Sequence, residues 1–333
     1  MPAPGPQEQV AFLADLQRLL DEGQFTATYK FALLLSLADL AVELGDDSGE
    51  PLTLPLEVIA ERFVSLYWGH ARPFPAETGL EPALLSQNLG QNIALLREIT
   101  ALQREHASIA EARSTGRWSR LIGHAAHILV DMPLLRLQTL RSGAKEFLYR
   151  NDVAGDAITL KAGVACHLRR FHVLIQHLVR SAWVRHIRSN PRNSTVLGTV
   201  LDLEEFLFDI KRAQYPRIKE ALRELQQGQC FYCRRAIRGE DALDHFIPWS
   251  KYPSDLGHNF VLADRACNAD KSDLLPELRF RDAWEERNSG GESVLVQAFE
   301  ADRVAHNLAA SRSIASWAYA ITEQSGTLLW APA

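Results

Sequence analysis

The chain has 333 residues, 47% of them hydrophobic and 23% charged, with a formal net charge of -5. That apolar share is enough for a sizeable core, spread over two domains at this length, and the negative balance is unhelpful to a nucleic-acid enzyme if evenly spread. Four cysteines in such a chain argue against a disulfide scaffold and for a reducing compartment.

The opening MPAPGPQEQ has no basic start followed by an apolar core, so no secretory signal is expected. Val10, Leu13, Leu16, Leu19 and Leu20 recur at helical spacing, which predicts a helix over 7–22 that ends at Gly23. A second helix is expected over 28–44. Its apolar run from Phe31 to Leu44 is interrupted by Asp39 and Glu43 and is too short to span a membrane. These readings predict a soluble, cytoplasmic protein without membrane association. The acidic, Gly- and Pro-containing run 45–55 reads as a loop, 56–68 as a helix and 71–80 as a Pro-rich connection. A long helical region is expected over 82–113 and another helix over 118–130. Two short apolar runs, 146–149 and 157–160, flank turn residues and suggest a hairpin. A basic helix should run from 163 to 189 and break at Asn190-Pro191, followed by helices over 195–208 and 218–226. After Pro276 the chain returns to helix over 280–287 and 293–323, separated by Gly290-Gly291. Lys30 in the second helix is expected to snorkel to the surface.

The negative charge is unevenly spread. Residues 1–60 carry ten acidic side chains against Arg18 and Lys30. Residues 161–192 hold Lys161, Arg169, Arg170, Arg180, Arg185, Arg188 and Arg192 with no acid. Arg169, Arg170, Arg180, Arg185 and Arg188 are therefore candidate nucleic-acid contacts, weighed against an ordinary solvated or acid-paired helix face.

The densest chemistry lies in CFYCRRAIRGEDALDHFIPWSKYPSDLGHNFVLADRACNADKSDLLP, residues 230–276. Cys230 and Cys233 have the Cys-x-x-Cys spacing that lets two thiolates reach one tetrahedral ion. Asp264 and Cys267 repeat the spacing with a carboxylate in place of the first sulfur. Between the pairs stand Asp244-His245 and His258-Asn259, and after them Asn268 and Lys271. Residues 242–247 alternate as a strand, 260–262 form a second, and a helix is expected from Asp264 to Pro276. Asn268 and Lys271 would share a face of that helix. A zinc ion joining Cys230, Cys233 and Cys267 would hold the segment together where apolar burial is small. Asp264 is the expected fourth ligand, giving a Cys3Asp site, with His258 as the alternative. Cys166, away from this cluster, reads as a buried core thiol, and Trp249 and Tyr252 as packing residues of the finger.

On these residues the segment from about Gln229 to Pro276 resembles an HNH endonuclease domain, the ββα-metal finger. DHFIPWS is similar to the family's Asp-His-x-x-Pro element, HNFVLA to its central Asn segment, and CNADKSD to its closing element. The closing Asn268, where many relatives have His, is similar to the HNH domain of RNA-guided CRISPR nucleases. The resemblance implies Asp244 and Asn268 as ligands of a catalytic Mg²⁺ or Mn²⁺ and His245 as general base. It further implies Asn259 as brace of the loop that orients His245, and Lys271 facing the phosphate. Hard oxygen donors suit magnesium, and the sulfur cluster suits zinc.

Together these readings predict a mainly α protein. A helical domain over 1–220 would serve targeting, partner docking or regulation. A small zinc-stabilised ββα finger would occupy 221–278, and C-terminal helices 279–333. The expected activity is metal-dependent hydrolysis of DNA phosphodiesters, with a restriction or phage-defence role expected by fold-level analogy. An RNA-directed nuclease and a non-catalytic zinc-stabilised binding module are the alternatives. No Walker-type phosphate loop is present.

Overall fold

A computed structural model describes residues 4–23, 25–75, 82–89, 94–106, 108–151, 155–197, 203–208 and 215–332. The chain is mainly α-helical and divides into two compact units, Met1–Lys211 and Arg212–Ala333.

The first unit opens with α1 (Pro6–Glu22), α2 (Tyr29–Leu44), β1 (Leu52–Pro55) and α3 (Leu56–His70). It continues through α4 (Ala94–Gln103), α5 (Ile109–Arg113), α6 (Gly116–Asp131) and α7 (Pro133–Arg136). Short strands β2 (Thr139–Leu140), β3 (Gly143–Ala144) and β4 (Ala157–Leu160) precede α8 (Val164–Arg170), α9 (His172–Ser189), α10 (Ser194–Leu197) and α11 (Leu203–Phe208).

The sequence of α2, YKFALLLSLADLAVEL, is apolar all round, and such a helix belongs at the centre of a core. It is buried from Lys30 to Val42 and packed by α3, α7, α8 and α9. Its polar members are matched. Asp39 accepts from His172 Nε2 at 2.8 Å and Gln176 Nε2 at 2.7 Å. Burial alone would raise the Asp39 carboxyl, but the His172 bond and the Arg62 charge outweigh it and hold it below the usual range. Among the described residues, no helix is long and apolar enough to cross a membrane.

Several expectations are corrected by long-range pairing. The run 45–55 is not all loop: β1 within it pairs antiparallel with β4, Leu52 opposite Leu160 and Pro55 opposite Ala157. The second run of the expected hairpin is thus taken by a distant strand, and only a single bridge, Tyr149 to Leu160, links the two runs. Residues 82–89 are not helical, because two asparagines pin them. Asn193 accepts from Ser86 N at 2.7 Å and donates to Ser86 O at 3.0 Å, and Asn190 donates to Asn88 O at 2.7 Å. Helix resumes only at Ala94. The 163–189 helix is interrupted at Phe171, whose ring stacks on Phe12. Lys30 does not snorkel. It is 8% exposed over the Phe25 ring, and burial lowers its ammonium to about 8.

Arg169 is a correction of another kind. It is only 4% exposed and closes the end of α2, donating from Nη1 to the carbonyls of Ala41, Val42 and Gly45 and from Nε to Asp47 at 3.0 Å. Those carbonyls are the orphan acceptors that every helix C-terminus leaves. A guanidinium so spent does not reach a phosphate. Cys166 is buried, its thiol directed at the Asp46 carbonyl.

The second unit comprises α12 (Pro216–Leu225), β5 (Asp241–His245), β6 (Phe260–Asp264), α13 (Arg265–Lys271), α14 (Leu278–Gly290), α15 (Glu292–Ala301) and α16 (Leu308–Ser325). β5, β6 and α13 make the ββα finger. The helix α13 stops at Ser272, which takes a φ of 47°, well before Pro276. The expected helix over 293–323 is two, broken between Ala301 and Leu308. α12 and α15 enclose one apolar core with Phe260 and Leu262 of β6. On the other side Phe246 stacks on Trp284 of α14 at 5.2 Å.

Replacing Arg169 by Met should reduce the opening free energy of the last turn of α2 by about 2–3 kcal/mol, the loss expected for charged hydrogen bonds left unmade. Amide hydrogen exchange over Leu40–Gly45 measures it. Unchanged protection with weakened nucleic-acid affinity would return Arg169 to a binding role.

Candidate HNH active site and zinc knuckle

The knuckle forms where the chain turns sharply after α12. Gln227 and Gly228 take left-handed φ of 53° and 70°, and Gln229 bridges Ala236 across the turn. Cys230 and Cys233 sit at its tip, and Cys267 approaches from α13. The three sulfurs lie within 4.8 Å of one another. About 2.3 Å from each to a central zinc in tetrahedral array is compatible with that spacing, so the trio could hold the ion. Burial and the two neighbouring sulfurs push the Cys267 thiol up to about 12. At Cys233 burial also raises the thiol, but hydrogen bonds from the Arg235 backbone, Cys230 and Cys267 together hold it below its ordinary value. Three thiols crowded in this way favour a cation that deprotonates them.

Neither candidate for a fourth ligand joins the sulfurs among the described residues. Asp264 is the N-cap of α13: its carboxylate accepts from Ala266 N at 2.8 Å. Its own backbone N–H donates to Cys230 Sγ at 3.2 Å, so Asp264 supports the cluster through the main chain. His258 lies elsewhere, 1% exposed and edge-on to Phe299 at 4.9 Å, with His306 beyond. Burial, then the charges of His306, Arg287 and Arg312, lower its imidazole from 6.5 to about 4.

Asp244, His245 and Asn259 lie at the end of the two-stranded sheet that the 246–259 loop closes, and Asn268 and Lys271 lie on α13. His245 is paired with Phe260 and Asp244 with Val261. Successive strand residues point to opposite faces, and the two side chains meet different surroundings. Asp244 is 8% exposed, and its Oδ2 takes both the Tyr232 hydroxyl at 2.5 Å and the Lys271 ammonium at 3.0 Å. Burial and the adjacent Asp244 carboxylate raise the Tyr232 phenol well above its ordinary value, which keeps it a donor. Lys271 is the largest correction here. It is fully buried, pairs with Asp244 and donates to the His245 carbonyl at 2.9 Å, so it does not face solvent or a phosphate.

Asn259 holds both main-chain groups of Ile247, accepting from its N–H at 2.8 Å and donating to its carbonyl at 2.9 Å. That clamp sets the loop leaving His245. The His245 ring lies 4.8 Å from Phe260 and 5.5 Å from the half-buried Trp249. Tyr252 is buried near Trp317. Asn268 is half-buried on α13, the helix that packs against both strands.

Sequence reasoning missed Asp255. Its Oδ1 lies 2.7 Å from His245 Nε2, and its Oδ2 accepts from the Tyr215 hydroxyl at 2.8 Å. Burial and Asp255 keep that phenol raised and protonated. Nothing in the spacing marks Asp255, because a loop closure brings it to His245. Of the candidate nucleic-acid arginines in the first unit, Arg170, Arg185 and Arg188 are exposed. Arg180 is half-buried, its guanidinium 5.0 Å above the Phe208 ring.

A family described as a domain of unknown function, DUF8808, matches residues 9–203, and one described as HNH endonuclease matches residues 230–277. The chain belongs to the DUF8808 family. Its second unit carries an HNH endonuclease domain, which supports nuclease activity in general terms. Comparison with curated proteins and with solved structures gives no significant match.

Three outcomes follow for this DUF8808 protein. Cys233→Ser should abolish zinc binding measured by plasma mass spectrometry. Asp264→Ala should retain the metal while losing about 1 kcal/mol from the α13 cap, and loss of zinc from it would refute the capping assignment. For His258 the sign is set by its lowered folded value. Its contribution is fully present above 6.5 and is lost as pH falls towards about 4, because the unfolded chain takes the proton first. The loss amounts to about 2–3 kcal/mol. Hydrogen exchange of β6 amides at pH 7.5 and 4.5 should show it in the wild type and much less of it in His258→Phe.

Proposed function

We propose that the protein is a metal-dependent endonuclease that hydrolyses DNA phosphodiester bonds, with His245 as general base. The observation that carries this reading is the His245–Asp255 pair, set at the strand end beside Asp244 within an HNH endonuclease domain. A carboxylate on Nε2 orients the ring, holds the proton there and leaves the Nδ1 lone pair to accept one from water. Tyr215 fixes the far oxygen of Asp255, and Asn259 fixes the loop between them. Asp255, Asn259, Lys271 and Tyr215 are therefore positioning residues.

The donors suited to Mg²⁺ or Mn²⁺ are the second oxygen of Asp244 and the amide oxygen of Asn268. Both protein bonds to the Asp244 carboxylate fall on Oδ2, which leaves Oδ1 for a hard cation. Such an ion, when bound, supplies polarisation of the scissile phosphoryl oxygen and stabilisation of the leaving oxygen. Zinc at Cys230, Cys233 and Cys267 has a structural role in this reading. Arg170, Arg185 and Arg188 are candidate contacts to the polymer, and residues 1–220 would supply targeting, partner docking or restraint. A place in restriction or phage defence is an analogy from the pairing of a nuclease finger with a helical unit.

The burial of Lys271 against Asp244 supports one rival: a zinc-stabilised binding module in which the ammonium stands where a catalytic cation would. Cutting assays on plasmid, single-stranded DNA and RNA with Mg²⁺, Mn²⁺ or chelator decide between them. His245→Ala should slow cutting about 10²–10⁴-fold, the usual share of a general base. Asp255→Asn should slow it less and displace the pH–rate profile. Equal rates for wild type and His245→Ala on every polymer would sink the nuclease reading.

A further inference from the structure

We propose that the open groove beside the zinc knuckle binds the phosphodiester backbone of the polynucleotide substrate through Arg234, Arg235 and Arg279. The inference rests on the nuclease reading and adds to it the surface that seats the strand.

The groove has a volume of about 370 Å³, and its lining includes these three arginines and no carboxylate. All three are exposed, in contrast to the structural arginines Arg169 and Arg287. Two of them are also preorganised. The Arg279 guanidinium lies 4.8 Å above the Phe280 ring and that of Arg234 5.5 Å above Phe231. A planar cation resting on an aromatic face keeps its N–H edge outward, and that edge matches two phosphate oxygens at once. Arg279 also pairs with the half-buried Glu277 at 3.0 Å, a contact a phosphate would share or replace.

Local backbone points the same way. Arg234 takes a φ of 60°, a conformation that favours glycine or asparagine. The knuckle turn imposes it, with Arg234 N–H donating to the Cys230 carbonyl at 3.0 Å. A long cation at such a position is not explained by turn chemistry. Arg238 follows in the same segment, and the first acid, Glu240, is already paired with Arg265.

Tyr232 ties the groove to the candidate active site. It lines the groove, while its hydroxyl donates to Asp244 at 2.5 Å. One side chain therefore separates the arginines from the carboxylate assigned to the reaction. Contacts of this kind carry no base information, so the site would hold the strand in register without reading it.

The test uses full-length, zinc-loaded protein in a His245→Ala background, with labelled duplex DNA, single-stranded DNA and RNA of equal length. The triple variant Arg234→Gln, Arg235→Gln, Arg279→Gln should bind at least one polymer tenfold or more weakly. On duplex, each lost phosphate contact should reduce the slope of log K against log salt by about 0.9. Arg279→Gln alone lies outside the knuckle turn and should show a smaller loss in the same direction, which keeps the proposal testable if the triple variant loses zinc. Parent-like affinity and slope on all three polymers, with zinc retained, would overturn it. So would a parent that binds none of them. His245-dependent cutting without groove-dependent binding removes this proposal alone. Groove-dependent binding without His245-dependent cutting removes the nuclease reading alone.

Discussion

A lysine ammonium that water does not reach organises the second unit. Lys271 is fully buried, and its charge is met by the Asp244 carboxylate and the His245 carbonyl. A buried ion without partners would be prohibitively costly, so this contact commits the end of α13 to the end of β5. Tyr232 brings the knuckle to the same carboxylate. Three segments distant in sequence are thereby fastened at the edge of a two-stranded sheet too small to stand alone. The C-terminal helices complete the support: Trp284 and Arg287 donate to the His258 carbonyl, and Gly257 donates to Ala305.

That arrangement separates holding from reacting. Asn259, Asp255, Tyr215 and Lys271 spend their polar groups on other protein groups, and each constrains the loop or strand that bears His245 or Asp244. In the proposed reaction, one imidazole nitrogen, one carboxylate oxygen and one amide would be left for chemistry. A general base gains from such rigidity, because its efficiency depends on the distance and direction to the proton it takes.

The arginines show the same division. Arg169 closes a helix, and Arg287 feeds the carbonyls of Phe260 and His258, with burial lowering it to about 9. Arg234, Arg235 and Arg279 instead stay exposed around one groove. A guanidinium can cap, pair or grip a phosphate, and its residue type does not say which. Within the basic run 161–192, Arg169 is turned inward while Arg170, Arg185 and Arg188 stay exposed.

Local features were legible. The Cys-x-x-Cys spacing, the Asp-His and His-Asn dipeptides, and the apolar run of α2 depend on neighbours a few residues away. The HNH segment could be read for that reason, as could the mainly helical class. The pairing of β1 with β4, the pinning of 82–89 by Asn190 and Asn193, and the arrival of Asp255 at His245 require chain closures of different lengths, on which local spacing is silent. A carboxylate ahead of a helix can cap it or bind metal, and that of Asp264 accepts the Ala266 N–H as a cap. By itself the sequence determined the mainly helical class, the HNH segment and the Cys-x-x-Cys pair, because short-range spacing and motif carry them. Only the tertiary structure decided that Lys271 lies inside and the knuckle arginines outside, because burial is a property of the packed chain and not of any residue in it.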